Sequence, residues 1–345
     1  MRGATFQTTM ESTRSVSGPY VIADDEISRP EAEAALAGAI VAEDKVGVID
    51  VTGHGVIPCL QGLLTNDVEG AGDGAFLYAA LLTQKGMVVC DMWVARHGSH
   101  AWLTVPARGS EPLFAAFKRF LPPRLARAID HSDEFAVLRI AGPEAVDVAG
   151  RAGIGVPEPG VSSDTVVGGA ACIVSRPTHP APFGLQVQLA RGNLPSILES
   201  LRGAGAVVSD PSALELTRIL TGWPRLGAEI DDKTLPQEVR FDENNGVSYT
   251  KGCYTGQETV ARVHFRGRVN KQLMGLIWDE KPDPVNPAIS QDDKAIGRVS
   301  SVVWLPPFEQ YIGLGIVKRQ ADTDLPVTAA GAAAVITSVP FELEP

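Results

Sequence analysis

The chain changes texture at residue 268, and that break limits what it can fold into. Before it, strand-like and helix-like runs alternate through two cycles. After it come short β-rich runs, LMGLIW, AIGRVSSVVWL, YIGLGIVK and AAVITSV, separated by Pro and Gly. Alternation of the first kind predicts mixed α+β layers, and closely punctuated strands predict a small antiparallel barrel or sandwich. In the first cycle Ser28, Pro30 and Glu31 combine an N-cap hydroxyl, an early Pro and a capping-box carboxylate ahead of EAEAALAGAIVAE, which predicts a first helix there. VGVIDV and the turn TGHG lead into CLQGLLTND, where Asn66 and Asp67 are placed to close a short helix through local hydrogen bonds. FLYAALLT and MVVCDMWVA, split by QKG, predict a hairpin. LFAAFKRFL is apolar at helical spacing until Pro122 and Pro123 stop it.

The second cycle starts near residue 134 with strand-like FAVLRIAG and a helix opening at Pro143. CIVS and LQVQLA follow as strands, then the helix NLPSILESLRGAGA, AVVS, and a further helix in PSALELTRILTG. The glycine clusters GAGDG and RGAGA do not form GxGxxG between a strand and a helix, which argues against a dinucleotide fold. No repeat with a fixed period of 20–50 residues is apparent.

Size and charge narrow the function. With 345 residues and 44% hydrophobic content, there is enough material for two or three cores. No run of 18 apolar residues or secretory h-region occurs, so a cytoplasmic protein away from membranes is expected. Residues 1–24 read as a disordered extension, and seven Ser/Thr with Arg2 and Arg14 in the first twenty leave organellar targeting open. A net charge of −11 argues against general nucleic-acid binding, so an anionic ligand must use a local basic patch. Cys59, Cys90, Cys172 and Cys253 are far apart without a CxxC pair, which predicts reduced thiols and neither a zinc site nor a resident iron–sulfur centre. His97 and His100, in RHGSH, read as a solvated turn.

One stretch combines several signals. In TKGCYTGQETVAR, Thr255 and Glu258 have capping-box spacing, predicting a helix whose first residue is Gly256. Cys253 then lies just ahead of a helix N-terminus, where unpaired N–H groups favour a thiolate, and Lys251 is close enough in sequence to add to that effect. Gly252 and Gly256 permit positive φ or close approach of a ligand. Lys251, Arg262, Arg266, Arg268 and Lys271 face a single acid, Glu258, across this region. A lone cysteine is also commonly a small buried hydrophobe, and residue physics leaves both readings of Cys253 open.

KGCYTGQE resembles the signature of the YgfZ-like folate-binding proteins, relatives of the glycine cleavage T-protein. LLTNDV, GAFLYAALLTQKG, LELTRILTGWPRLGAEI, LPQE and IGRVSS lie in matching order, so the resemblance spans about residues 45–320. It implies an α+β, three-part cloverleaf with ferredoxin-like portions: a folate-binding region over residues 25–265, made of two interleaved α+β subdomains, and a C-terminal β-barrel over 268–340. It also implies a central pocket for tetrahydrofolate or a one-carbon derivative. Where T-protein relatives carry a DD pair, this chain has Cys90 and Asp91, and Asp91 becomes the candidate proton-handling acid. Tyr78 stands where relatives place an aromatic ring against the folate. Leu220 replaces the Glu of an EAG motif, and Cys253 and Tyr254 replace the Asp and Phe of KGDFIGKE. Both departures favour the YgfZ-like branch.

The resemblance therefore implies a folate-binding accessory factor for assembly or repair of iron–sulfur clusters in client proteins. Cys253 is its reactive thiol, and Tyr78, Lys251, Gly252, Tyr254, Gly256, Gln257, Glu258, Arg262 and Arg266 are its folate contacts. Lys251, Arg262 or Arg266 would meet the glutamate tail. The alternative is an aminomethyl or methyl transferase using Asp91, and a folate sensor without chemistry is a third possibility.

Overall fold

The computed structural model describes residues 20–21, 26–283 and 285–343. The expected disordered extension over 1–24 lies outside the described residues apart from Tyr20–Val21, a two-residue strand (β1) paired in parallel with Ser301 and Val302. The first helix, α1 (Arg29–Ala37), begins as its sequence dictates: Glu31 N donates to Ser28 Oγ, and Ser28 N donates to Glu31 Oε2 at 2.9 Å. It ends sooner than expected. Gly38 closes it, and the IVAE run becomes strand β2 (Ile40–Asp44), whose first three residues are buried. β-branched residues at an interior sheet position outweigh a continued helical pattern there.

Strand β3 (Val46–Thr52), helix α2 (Val56–Leu63), the hairpin β4 (Phe76–Leu82) and β5 (Val88–His97), strand β6 (His100–Pro106), helix α3 (Ala107–Phe120) and strand β7 (Arg127–Asp130) build the first layer pair. Its five-stranded sheet has the order β4-β5-β6-β3-β7. The QKG turn forms the hairpin, with Tyr78 opposite Trp93 and Ala80 opposite Asp91. RHGSH is the β5–β6 turn. Asn66 does bond locally, accepting from Asp67 N, and its amide also reaches the carbonyls of Tyr78 and Asn245.

The second layer pair comprises β8 (Phe135–Ala141), α4 (Ala145–Arg151), β9 (Ser162–Val167), β10 (Ala170–Ser175), β11 (Leu185–Ala190), α5 (Leu194–Gly203) and β12 (Val207–Val208). With β2 they give the sheet order β12-β2-β8-β11-β10-β9. Strand β9 was not anticipated, because SSDTVV has little apolar signal and its exposed positions are Asp164 and Val166. Helix α6 (Pro211–Leu220) then crosses toward the last part, and α7 (Gln257–Arg266) leads into β13 (Lys271–Trp278), β14 (Ala288–Gln291), β15 (Lys294–Leu305), β16 (Gln310–Lys318), β17 (Val327–Ala329) and β18 (Ala332–Thr337). These six strands close into a barrel, since β15 pairs with both β14 and β16.

The three parts are joined by buried polar groups as well as by a shared apolar centre. Glu229, fully buried, accepts from Arg218 Nη1 (3.1 Å), Arg225 N (3.0 Å) and the Ser300 and Ser301 hydroxyls (2.7 Å each), tying α6 and the following loop to barrel strand β15. A buried carboxylate is tolerated when its lone pairs are matched in this way.

Candidate functional site

Only Lys45 separates β2 from β3, so the chain steps between the two open sheets at that residue. Beside the step lies a cavity of ≈ 830 Å³, with Asp91, Trp93, Thr104, Arg139, Arg218 and Trp223 on its walls. A volume of that size suits a cofactor-sized organic ligand.

Alternation along β5 sets the chemistry of its floor. Cys90 packs into the core beneath α3, where burial pushes its thiol up, and Asp91 is turned to the cavity. Asp91 is buried. The Tyr78 hydroxyl donates to its Oδ2 at 3.0 Å, and its Oδ1 has no hydrogen-bond partner among the described residues. Burial raises the Asp91 pKa to about 6, against the opposing pull of the Tyr78 hydrogen bond, of its own backbone N–H and of the Arg218 charge. Tyr78 in turn is held neutral, its pKa lifted by burial and by the Asp91 charge.

Aromatic rings form the adjoining wall. Trp93 and Trp223 stack at 5.5 Å with 16° between their planes; Tyr78, expected to lie against the folate, does not line this cavity but is buried behind the two indoles, packed against both and against Phe241 at 5.0 Å, with its hydroxyl spent on Asp91. Phe183 meets Trp93 edge-on. Flat apolar faces beside one buried carboxylate make a surface for a flat heterocycle bearing N–H groups. The opposite wall is charged. Arg139 donates to Asp44 Oδ2 (3.1 Å) and Gln186 Oε1 (2.5 Å), and its guanidinium lies 3.9 Å from the Phe183 ring centre. Thr104 donates to the same Gln186 oxygen, joining the two sheets. Burial opposes ionisation of Glu215, but Arg218 and Arg225 outweigh it and hold the carboxylate below its ordinary range.

The sequence reading missed Arg139, Thr104, Gln186, Arg218 and Trp223. The signal was present: Arg139 is the one charge in FAVLRIAG, and two glutamines interrupt LQVQLA. A charge inside an otherwise buried strand needs a buried partner. Leu220 lines a neighbouring cavity of ≈ 460 Å³ with Thr217 and Thr221 and does not face Asp91's cavity.

The KGCYTGQE stretch lies elsewhere. None of Lys251, Gly252, Cys253, Tyr254, Gly256, Gln257, Glu258, Arg262 or Arg266 lines the large cavity. Lys251 was expected beside the sulfur or a folate tail. It is buried instead, and its Nζ donates to the carbonyls of Gln61 (2.7 Å), Leu64 (2.8 Å) and Asn66 (2.7 Å), which uses all three protons. Burial lowers its pKa to about 8, which keeps the ammonium dominant at neutral pH. The Tyr254 ring is buried 5.1 Å beneath that ammonium.

The expected capping box is also absent. Gly256 is the N-cap at φ +84°, the helix starts at Gln257, and no side chain caps it. A Cβ at Gly256 would fall 2.5 Å from the Thr83 carbonyl oxygen, so this glycine lets the turn close onto the tip of the β4–β5 hairpin. Thr255 is pinned by its N–H to Gly62 O at 3.1 Å. Gly252 has neither positive φ nor a close neighbour. Cys253, Gly252, Glu258, Arg262 and Arg266 are exposed, and Gln257 is half-buried.

Comparison with known proteins gives the geometry a lineage. The model of the GCVT N-terminal domain family matches residues 23–243. The tRNA-modifying protein YgfZ of Escherichia coli O157:H7 is 32% identical over 254 residues, covering 72% of this chain and 74% of the relative. An aminomethyltransferase of Rubrobacter xylanophilus is 28% identical over 304 residues, covering 81% of this chain and 77% of the relative. The crystal structure of glycine cleavage system aminomethyltransferase T from Bartonella henselae covers 91% of this chain and 89% of its own with a TM-score of 0.77; at 18% identity it speaks to the fold alone. From the closed barrel, the paired α+β layers and these matches, the chain belongs to the GcvT family as a YgfZ-like member.

Proposed function

We propose that the chain binds a reduced folate in the cavity beside Asp91 and serves as an accessory factor for iron–sulfur clusters in client proteins, with Cys253 as the reactive thiol. The observation that carries the folate reading is the unmatched Oδ1 of a buried Asp91 on the wall of an ≈ 830 Å³ cavity bounded by Trp93 and Trp223. A buried acceptor without a donor is costly to the folded state, and an N–H from a pterin edge would offset that cost. Arg139, held by Asp44 and Gln186, puts a positive charge on the same cavity wall, and the two indoles supply apolar faces there. A bound folate would supply a one-carbon carrier. Asp91, with a pKa near 6, would hold or release a proton at Oδ1.

Cys253 is exposed and outside that cavity. This supports a thiol that meets a macromolecular client at the surface and disfavours one acting on the folate ring. The YgfZ relatives are named tRNA-modifying proteins, and an accessory role toward an enzyme that modifies tRNA accommodates that name. The transferase reading is favoured by one observation, the proton-poised Asp91, and by the aminomethyltransferase relatives. Calorimetric titration with tetrahydrofolate tests the shared part: saturable binding that weakens in Asp91→Asn is expected, and absence of binding removes both readings. Turnover with tetrahydrofolate and methylamine donors that survives Cys253→Ser but not Asp91→Asn would establish the transferase instead.

A further inference from the structure

The reduced folate proposed for the large cavity ends in a glutamate with two carboxylates, and the Asp91 end of the site repels such a group. Lys251, Arg262 and Arg266, expected to meet that tail, do not line the cavity. Five other cations do: Lys45, Arg108, Arg139, Arg218 and Arg225. Four of them already have a carboxylate. Arg139 is on Asp44 at 3.1 Å, Arg218 and Arg225 share Glu215 at 2.8 and 2.9 Å, and Lys45 holds Glu43 at 2.8 Å. The exposed Arg108 guanidinium has neither a hydrogen bond nor an ion pair among the described residues.

Two elements place that guanidinium. Arg108 stands in the first turn of α3, whose start at Pro106 and Ala107 forms part of the same cavity wall. No side chain caps this 14-residue helix, and its first turn holds no acid. From there the guanidinium lies against the segment that follows Trp223, since a Cβ on Gly227, at φ +88°, would fall 2.7 Å from Arg108 Nη1. Gly227 is itself held by its N–H on Ile230 O at 2.8 Å. A bare glycine therefore makes room for the charge, and the open N–H groups of the helix start add to the same positive field. The unmatched Oδ1 of Asp91, a residue only 6% exposed on the same cavity, is the independent sign of a ligand.

We propose that Arg108, with the open start of α3, is the anion subsite of this cavity and takes the carboxylates of the glutamate tail, an assignment that rests on the folate reading above. The two ends of the ligand then meet opposite chemistry: Asp91 accepts from ring N–H groups, and Arg108 donates to carboxylate oxygens. The other acids on the walls set the direction of the tail. Asp44 and Glu215 are matched by their arginines. Glu26 and Asp210 are exposed at the start of α6, where Ser212 Oγ donates to Glu26 O at 3.3 Å, and neither has a cation among the described residues. Two such carboxylates repel a tail laid beside them, which leaves the start of α3 as its place. An arginine suits the task, because its planar fork can present two parallel donors to one carboxylate.

Calorimetric titration of the full chain at low salt, with tetrahydrofolate and with its dimethyl ester, tests this, because the ester keeps the ring system and loses both tail charges. The wild type is expected to bind the ester about fivefold more weakly than the acid, and Arg108→Gln to lose about the same factor for the acid. The ester itself should bind wild type and Arg108→Gln alike. Arg108→Lys should keep part of the acid's advantage, and added salt should shrink it. Equal binding of acid and ester by the wild type, an Arg108→Gln loss that is the same for both ligands, or a tail effect that follows Lys45→Gln instead would each overturn the subsite while leaving the folate reading in place. No binding of either ligand would remove the folate reading and the subsite with it.

Discussion

Two buried charges, Lys251 held at the end of α2 and Asp91 on strand β5, are treated in opposite ways. Lys251 has three protons and three carbonyl acceptors at 2.7–2.8 Å, so nothing remains for a ligand. Asp91 has one oxygen bound by Tyr78 and the other without a partner, on a cavity wall. A polypeptide that can match a buried cation completely leaves an anion unmatched nearby, at a cost to stability, on a residue that lines a cavity. The difference separates structure from site more sharply than residue type does: the matched charge is a clasp, and the unmatched one is the candidate for chemistry.

The largest effect should come from breaking the clasp. Lys251→Met keeps the apolar stem but strips the carbonyls of Gln61, Leu64 and Asn66 of their donor, and an expected loss of about 4 kcal/mol follows from several buried acceptors left unmatched. Urea unfolding measures it. The folded fraction should still bind tetrahydrofolate with wild-type affinity, because Lys251 does not line the cavity. A normal unfolding midpoint with lost folate binding would reverse the comparison and make Lys251 a ligand contact.

Asp91→Asn should act in the opposite direction on stability. The folded-state pKa of about 6 lies above the ordinary aspartate value of 3.8, so the native state holds this proton more tightly than the unfolded chain does. That contribution is fully present below pH 4 and lost as pH rises through 6; the gap corresponds to about 3 kcal/mol. Asn does not titrate. The variant is therefore expected to gain up to about 3 kcal/mol on the wild type between pH 4 and pH 8, measured by paired urea titrations. The Tyr78 hydroxyl will hold the amide oxygen, placing an NH₂ where Oδ1 stood, and folate affinity should fall about tenfold or more. Parallel pH profiles for the two proteins would show that Asp91 is matched after all.

Gly256→Ala tests how firmly the clasp closes. It combines a left-handed φ of +84° with a 2.5 Å approach to the Thr83 oxygen, and a loss of about 2 kcal/mol is expected in the same unfolding assay. A neutral substitution would mean that the turn opens freely and that the hairpin tip does not depend on it.

The fold was largely legible because its signals are local. The Ser28–Glu31 capping box, the QKG turn and the Pro/Gly-punctuated strands after residue 268 each act within a few residues, and each formed. The site was legible only in part because it is assembled over distance. Asp91 could be singled out by resemblance, but Arg139 gains its meaning from Asp44 and Gln186, residues 95 and 47 positions away. At Thr255 and Glu258 the spacing of a capping box was present, and a contact with the distant Thr83 carbonyl dictated a positive φ at Gly256 instead. Tertiary contact overrode a local pattern there. The same override placed Lys251 with α2 and left Cys253 outside.

Cys253→Ser should have the smallest effect on the molecule itself and sharpens the comparison most. The side chain is exposed, absent from the large cavity, and flanked by Gly252, whose surroundings are open. Surface exchanges of this kind stay within about 0.5 kcal/mol, so both the urea midpoint and tetrahydrofolate affinity should match the wild type. What should change is thiol chemistry with a client: recovery of a client iron–sulfur enzyme's activity in cells lacking this protein is expected to fall with Cys253→Ser and to be retained by Gly252→Ala. A large drop in stability would place Cys253 within the clasp, and full recovery by the serine variant would leave the unmatched Asp91 as the only group in the comparison with work left to do.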